Sequence, residues 1–221
     1  MNIPNTAEVI INNKVVQSIV RAKDNVVIYQ KKGYDFVVED MTELAAAFSQ
    51  ATSGQSILMK AGTYSLPANY SVTGLDIIGE EGAKIVCTSG QLNITDCLLD
   101  GVALETVNVN RTCVYATGNT VIRNCDCVSE VKPWDGRVIQ VDTNNQNGLV
   151  EIYNCYFHGQ GKSNGYGHTC SAIIGQGNPV YKVLIHHNTF NHPCNSGQLL
   201  GSNKGKAIGF YSGNSASTTF Y

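Results

Sequence analysis

The chain has 221 residues, 43% of them hydrophobic, which suits one compact domain with at most a small appendage and excludes wholesale disorder. Lys and Arg total 15 against 17 Asp and Glu, so at a net charge of -2 no nucleic-acid or anionic-membrane partner is expected, and no apolar run approaches the roughly eighteen residues of a membrane helix. Only 14% of residues are charged, while Gly and Asn each reach 22; polarity is carried by neutral turn formers, which favours strands and tight turns over helices.

Met1-Asn2-Ile3-Pro4-Asn5 lacks the basic and apolar regions of an export signal. On that reading the eight cysteines (87, 97, 113, 125, 127, 155, 170 and 194) are expected as buried free thiols, a disulfide between stacked cysteines being the alternative outside a reducing compartment. Residues 1–39 read as a small β module. Val9-Ile10-Ile11 and Lys14-Val15-Val16 flank Asn12-Asn13, a dipeptide that tolerates the positive φ of a two-residue hairpin, and Ser18–Arg21 and Val26–Tyr29 form a second pair. The one convincing helix spans 41–51, with Leu44, Ala47, Phe48 and Ala51 on one stripe, Asp40 as N-cap, Glu43 three residues on, and Ser53-Gly54 as terminator.

From Ile57 to about Phe210, short apolar runs alternate with Gly, Asn, Asp and Ser clusters, and four runs resemble one another: Ile94-Thr95-Asp96-Cys97, Ile122-Arg123-Asn124-Cys125, Ile152-Tyr153-Asn154-Cys155 and Ile185-His186-His187-Asn188. Their starts lie 28, 30 and 33 residues apart, the spacing of a coiled repeat in which no unit buries its apolar face alone. The expected fold for residues 40–221 is therefore all-β, a single-stranded parallel β-helix of about 5–6 coils whose strands stack about 4.8 Å apart. Ile94, Ile122, Ile152 and Ile185 would form an internal ladder. Asp96, Asn124, Asn154 and Asn188 would occupy a bend, and Cys97, Cys125 and Cys155 would stack beside it.

Leu44–Tyr64, a helix followed by Gly54-Gln55-Ser56-Ile57-Leu58-Met59-Lys60 and Ala61-Gly62-Thr63-Tyr64, resembles the entry segment of the pectin-lyase-like right-handed β-helix superfamily, in which the helix caps the N-terminal end. Gly74–Glu80 and Lys84–Val86 resemble its next rungs. The resemblance implies a fold more than an activity, since the same fold carries lyases, hydrolases, esterases and non-catalytic virion fibres. Asn12–Arg21 and Asp24–Lys31 resemble the N-terminal module of tail or fibre proteins of prokaryotic viruses. What this implies is a non-catalytic virion structural or receptor-binding protein, homotrimeric, docked to other virion proteins through residues 1–39 and presenting the β-helix to a surface polysaccharide.

Candidate ligand contacts are Trp134, the single Trp, with His158, Tyr166 and His168; aromatic rings suit sugar faces, and five histidines crowd the last third of the chain. His186 and His187 are expected on opposite faces of one strand, so that at most one faces solvent. No cofactor or metal is expected: Cys125-Asp126-Cys127 lacks a second ligand pair for zinc. The alternative function is a polysaccharide lyase, for which the resemblance implies a basic residue as proton abstractor and calcium on the uronate carboxylate. Lys132, Arg137, Lys162 and Lys182 are the candidate bases, with Asp126, Asp135, Asp142 and Glu151 nearby in sequence. Hydrolysis would rest on Asp96, Asp100 and Asp126. A surface adhesin or filament subunit is the third reading, with an extracellular or cell-surface location replacing the virion.

Overall fold

The computed structural model describes residues 33–107, 112–129, 137–142, 148–158 and 182–191, together with the strand backbone at 10–11, 14–15, 18–21, 26–30, 173–176 and 208–211. The chain divides into two compact units, Met1–Asp35 and Phe36–Tyr221. In the first, β1 (Ile10–Ile11) pairs antiparallel with β2 (Lys14–Val15), and β3 (Ser18–Arg21) with β4 (Val26–Gln30), as the paired apolar runs predict. The second unit begins at β5 (Phe36–Val38), which joins a parallel sheet of this unit instead of ending the lead-in.

Three parallel sheets build that unit, visited in rotation. The first holds β5, β6 (Ser56–Met59), β9 (Asp76–Gly79), β12 (Leu98–Asp100), β15 (Val121–Arg123), β18 (Leu149–Tyr153) and β21 (Lys182–His186). The second holds β7 (Gly62–Leu66), β10 (Ala83–Cys87), β13 (Ala103–Thr106), β16 (Asp126–Ser129), β19 (Tyr156–His158) and β22 (Thr189–Asn191). The third holds β8 (Tyr70–Thr73), β11 (Leu92–Thr95), β14 (Thr112–Thr117), β17 (Arg137–Asp142), β20 (Ile173–Gln176) and β23 (Ile208–Tyr211). The result is a parallel β-solenoid of about four turns.

Alternation along each short strand sends one set of side chains inward, and parallel register stacks them in columns. In the first sheet the inward column is Ile57, Ile77, Leu99, Ile122, Ile152 and Ile185. In the second it is Tyr64, Ile85, Leu104, Cys127, Phe157 and Phe190, the last two stacked at 4.8 Å. Ile94 does not belong to the first column: it lies in the third sheet between Val72 and Ala116. The register shows why. In-register partners are 20, 22 and 23 residues apart in the early coils and 30 and 33 apart later, so a ladder assumed to step by about 30 throughout skips a sheet at its first step.

The same slip mixed two corners. Between the first and second sheets the left-handed positions are Gly82, Gly101, Asn124, Asn154 and His187, at φ 90, 71, 55, 52 and 54°. Between the third and first they are Gly74, Asp96 and Gly118, at φ 69, 53 and 66°. Hence Asp96 and Cys97 serve one corner while Asn124-Cys125 and Asn154-Cys155 serve the other. His187 takes the bend position expected for Asn188, and Asn188 takes the place of the cysteine. Its side chain accepts from Cys155 N–H at 2.9 Å and donates to Ile152 C=O at 2.9 Å, doing with an amide what a thiol does below it. Each corner cysteine donates its S–H to the carbonyl two residues earlier: Cys97 to Thr95 at 3.1 Å, Cys125 to Arg123 at 3.2 Å and Cys155 to Tyr153 at 3.3 Å. The recurring Asx-Cys pair is thus a bend device, usable at either corner, rather than a marker of one column.

Helix α1 (Met41–Gln50) buries Leu44 and Ala47 and packs against β5, β7 and β8, the first strand of each sheet. Asp40 caps it, accepting from Glu43 N–H at 2.9 Å; the Glu43 carboxylate reaches back to Glu39 N–H at 2.8 Å, one residue short of the reciprocal bond of a capping box. Phe48 meets Tyr70 at 5.7 Å.

Cys87, Cys97, Cys113, Cys125, Cys127 and Cys155 are all buried and unbridged. Burial holds the Cys97, Cys113 and Cys127 thiols above the ordinary range. For Cys125 the hydrogen bond shared with Cys155 raises it first and burial second; that shared bond lowers Cys155. A group with a raised folded-state pKa stabilises fully below its unfolded pKa, about 8.5 for a thiol, and loses that contribution as pH rises. Cys155, whose thiol is lowered, is ionised in both states above about pH 8.5 and does not oppose that loss. The urea midpoint is therefore expected to fall between about pH 8.5 and 10. A midpoint that does not move over that range refutes the account.

Candidate functional site

Outward-facing residues of the first and second sheets, on either side of the Asn154 and His187 corner, form an array of polar and aromatic side chains in mutual contact. Asp100, Arg123, Tyr153 and His186 occupy one outward column of the first sheet. Arg123 Nε donates to Asp100 Oδ2 at 2.9 Å, its Nη2 lies 2.7 Å from the same oxygen, and Nη1 donates to Tyr153 Oη at 3.1 Å. The bond to Tyr153 and then the Asp100 carboxylate raise the guanidinium pKa further, so it stays charged. Tyr153 and His186 stack at 5.0 Å and 8°. His186 Nε2 lies 2.8 Å from Glu151 Oε1, and its Nδ1 lies 2.6 Å from His187 Nδ1.

Across the corner, Tyr156 stacks on His158 at 4.6 Å and 24°. Its hydroxyl accepts from Asn191 Nδ2 at 2.9 Å, and His158 Nε2 is 2.7 Å from Asp126 Oδ1. Tyr156 keeps 39% of its surface exposed, one of the larger apolar exposures in the described solenoid. An exposed ring with hydrogen-bonding groups at its rim is the arrangement that packs against the C–H face of a sugar while binding its hydroxyls.

His158, expected as a ligand contact, lies within this array. Arg137 opens β17 in the third sheet opposite Thr112, and Lys182 opens β21 in the first opposite Leu149, so these two candidate bases stand on different sheets. Lys132, Trp134, Lys162, Tyr166 and His168, with Asp135, lie outside the described residues. The expected separation of His186 from His187 is corrected. His187 follows the end of β21 at positive φ, which swings its ring round to touch His186 at 4.9 Å on the outside of the coil.

Asp126 and Glu151 each face a histidine, and Asp100 faces Arg123. Among the described residues no three His, Cys, Asp or Glu side chains converge as a metal site would need. The grouping of Arg123, Glu151, Tyr153 and Tyr156 is not legible in the sequence, because it depends on a 30-residue register step that composition does not reveal. No family model matches this chain, and no curated protein matches it.

Proposed function

We propose that the chain is a non-catalytic structural or receptor-binding protein of a virion, tail- or fibre-like, that presents the outer face of a right-handed, pectin-lyase-like β-helix of five to six coils to a surface polysaccharide. The observation that carries this reading is the pair of aromatic–imidazole stacks, Tyr153–His186 and Tyr156–His158, flanking one corner with Arg123, Asn191 and carboxylates at their edges. In this reading α1 covers the N-terminal end of the coil, residues 1–39 dock to other virion proteins, and three copies associate along the helix. Asp100, Asp126 and Glu151 are each engaged by a basic side chain and Asp96 accepts from Asn119 N–H, which supports binding over bond cleavage by these acids.

The test is a polysaccharide-binding screen on the full chain, paired with light scattering for the mass in solution. Wild-type protein is expected as a trimer that binds a polysaccharide, and Tyr156→Ala is expected to weaken binding about tenfold by removing the exposed ring. Absence of binding together with a monomeric mass overturns the reading. Release of unsaturated uronate products, with or without calcium, replaces it with the lyase, whose bases would then be sought among Lys132, Arg137, Lys162 and Lys182.

A further inference from the structure

With both imidazoles neutral, the contacts around His186 fix where the protons sit. An ionised carboxylate only accepts, so in the Glu151 Oε1 to His186 Nε2 contact of 2.8 Å the imidazole donates. A neutral His186 that carries its proton on Nε2 has a bare lone pair on Nδ1. The 2.6 Å contact between the two Nδ1 atoms then requires the proton to come from His187. His187 is thereby held as the Nδ1–H tautomer, with the lone pair on its Nε2. That ring is exposed, and Nε2 makes no hydrogen bond among the described residues. Stacking of His186 on Tyr153 and T-shaped packing of His187 on His186 set both ring planes.

We infer that the Glu151–His186–His187 chain is a tautomer-setting relay that presents His187 Nε2 as a fixed hydrogen-bond acceptor for a hydroxyl group of a neutral saccharide. An unconstrained histidine offers either a donor or an acceptor; this one offers an acceptor, so it selects a hydroxyl donor and disfavours a bare carboxylate or sulfate oxygen at that point. The neighbouring group one coil below in the same corner is Asn154, exposed and without a side-chain hydrogen bond among the described residues. Its amide supplies both a donor and an acceptor beside the imidazole, the set needed for a second hydroxyl. Two residues beyond Asn154, the exposed Tyr156 ring offers an apolar face. No structural demand of the bend explains the histidine: Asn fills the same left-handed position at 124 and 154.

The assignment of a saccharide rests on the proposed polysaccharide-binding function; the tautomer does not, and the two are measured separately. In protein labelled with 15N-histidine, long-range 15N–1H spectra of the neutral rings are expected to show His186 as Nε2–H and His187 as Nδ1–H. Finding His187 as Nε2–H overturns the relay whatever the protein binds. Glu151→Gln can donate as well as accept, so it should let the order reverse and mix the tautomers; unchanged spectra would remove Glu151 from the account. His187→Asn keeps a residue type that the bend already tolerates twice, so the variant should fold, and it is expected to weaken binding of a neutral polysaccharide from the screen about five- to tenfold. If Tyr156→Ala abolishes binding while His187→Asn leaves it unchanged, the saccharide contact is refuted and the polysaccharide reading survives. If wild type binds no polysaccharide, that reading fails and the contact fails with it, leaving the tautomers to stand on their spectra.

Discussion

Ile122→Ala is expected to cost roughly 3 to 5 kcal/mol in urea unfolding, near the upper end for loss of a buried aliphatic side chain. Ile122 is fully buried between Leu99 and Ile152 in the first-sheet column. The backbone on both sides is tied into parallel ladders, so the coils above and below cannot collapse into the space, and the cavity penalty adds to the lost transfer energy. Ile122→Val, removing one methylene, should cost about 1 kcal/mol. The internal control is Val121→Ala on the opposite face of the same strand, where the side chain is only half-buried and the expected cost is below about 1 kcal/mol. Equal costs at 121 and 122 would mean that the strand does not alternate as described. Because each coil contacts only its neighbours, a central deletion should also broaden the transition, lowering its denaturant slope as the coils on either side uncouple.

The solenoid could be read from the chain because its two main signals are local. Short β-branched runs broken by Gly, Asn and Asp identify strands and bends, and the stripe of Leu44, Ala47 and Phe48 behind Asp40 identifies the helix. Register is non-local, and there the reading fails in an instructive way. The tetrad beginning at Ile94 looks like those beginning at Ile122 and Ile152 because an Asx residue at positive φ followed by a cysteine solves the same problem at any corner: the Asx accepts the left-handed backbone and the thiol satisfies a carbonyl. Identical local chemistry therefore hides which corner is being turned, and only the growth of the coil from 20 to 33 residues separates the two. The candidate site is less legible still. Arg123, Tyr153 and His186 lie in three different coils, and the contact between His186 and His187 arises from a reversal of backbone handedness that strand alternation does not anticipate.

Asp100→Ala is expected to cost about 2 to 3 kcal/mol, a large effect for a residue on the outward face of a sheet. Asp100 is 7% exposed and takes three contacts: Arg123 Nε at 2.9 Å, Arg123 Nη2 at 2.7 Å and Asn124 Nδ2 at 2.7 Å. Truncation strands the guanidinium and frees the Asn124 amide that steadies the corner. Because the Arg123 side chain retains 29% exposure, water recovers part of the loss, which places the expected cost below that of a fully buried ion pair. Arg123 also donates to Tyr153, so the Asp100–Arg123–Tyr153 chain crosses three successive strands, β12, β15 and β18, and couples their coils by side chains as the ladders couple them by backbone. Arg123→Leu should cost at least as much as Asp100→Ala, since it strands the Asp100 carboxylate, the more deeply buried of the two charges, and the double variant, which leaves neither charge unpaired, should fall short of the sum of the singles by about 1 to 2 kcal/mol. Chemical denaturation of the four proteins closes the cycle. Additive costs would show that Asp100 and Arg123 do not act as a pair, and would leave Tyr153 and the stacked His186 without the support from below on which the candidate binding face depends.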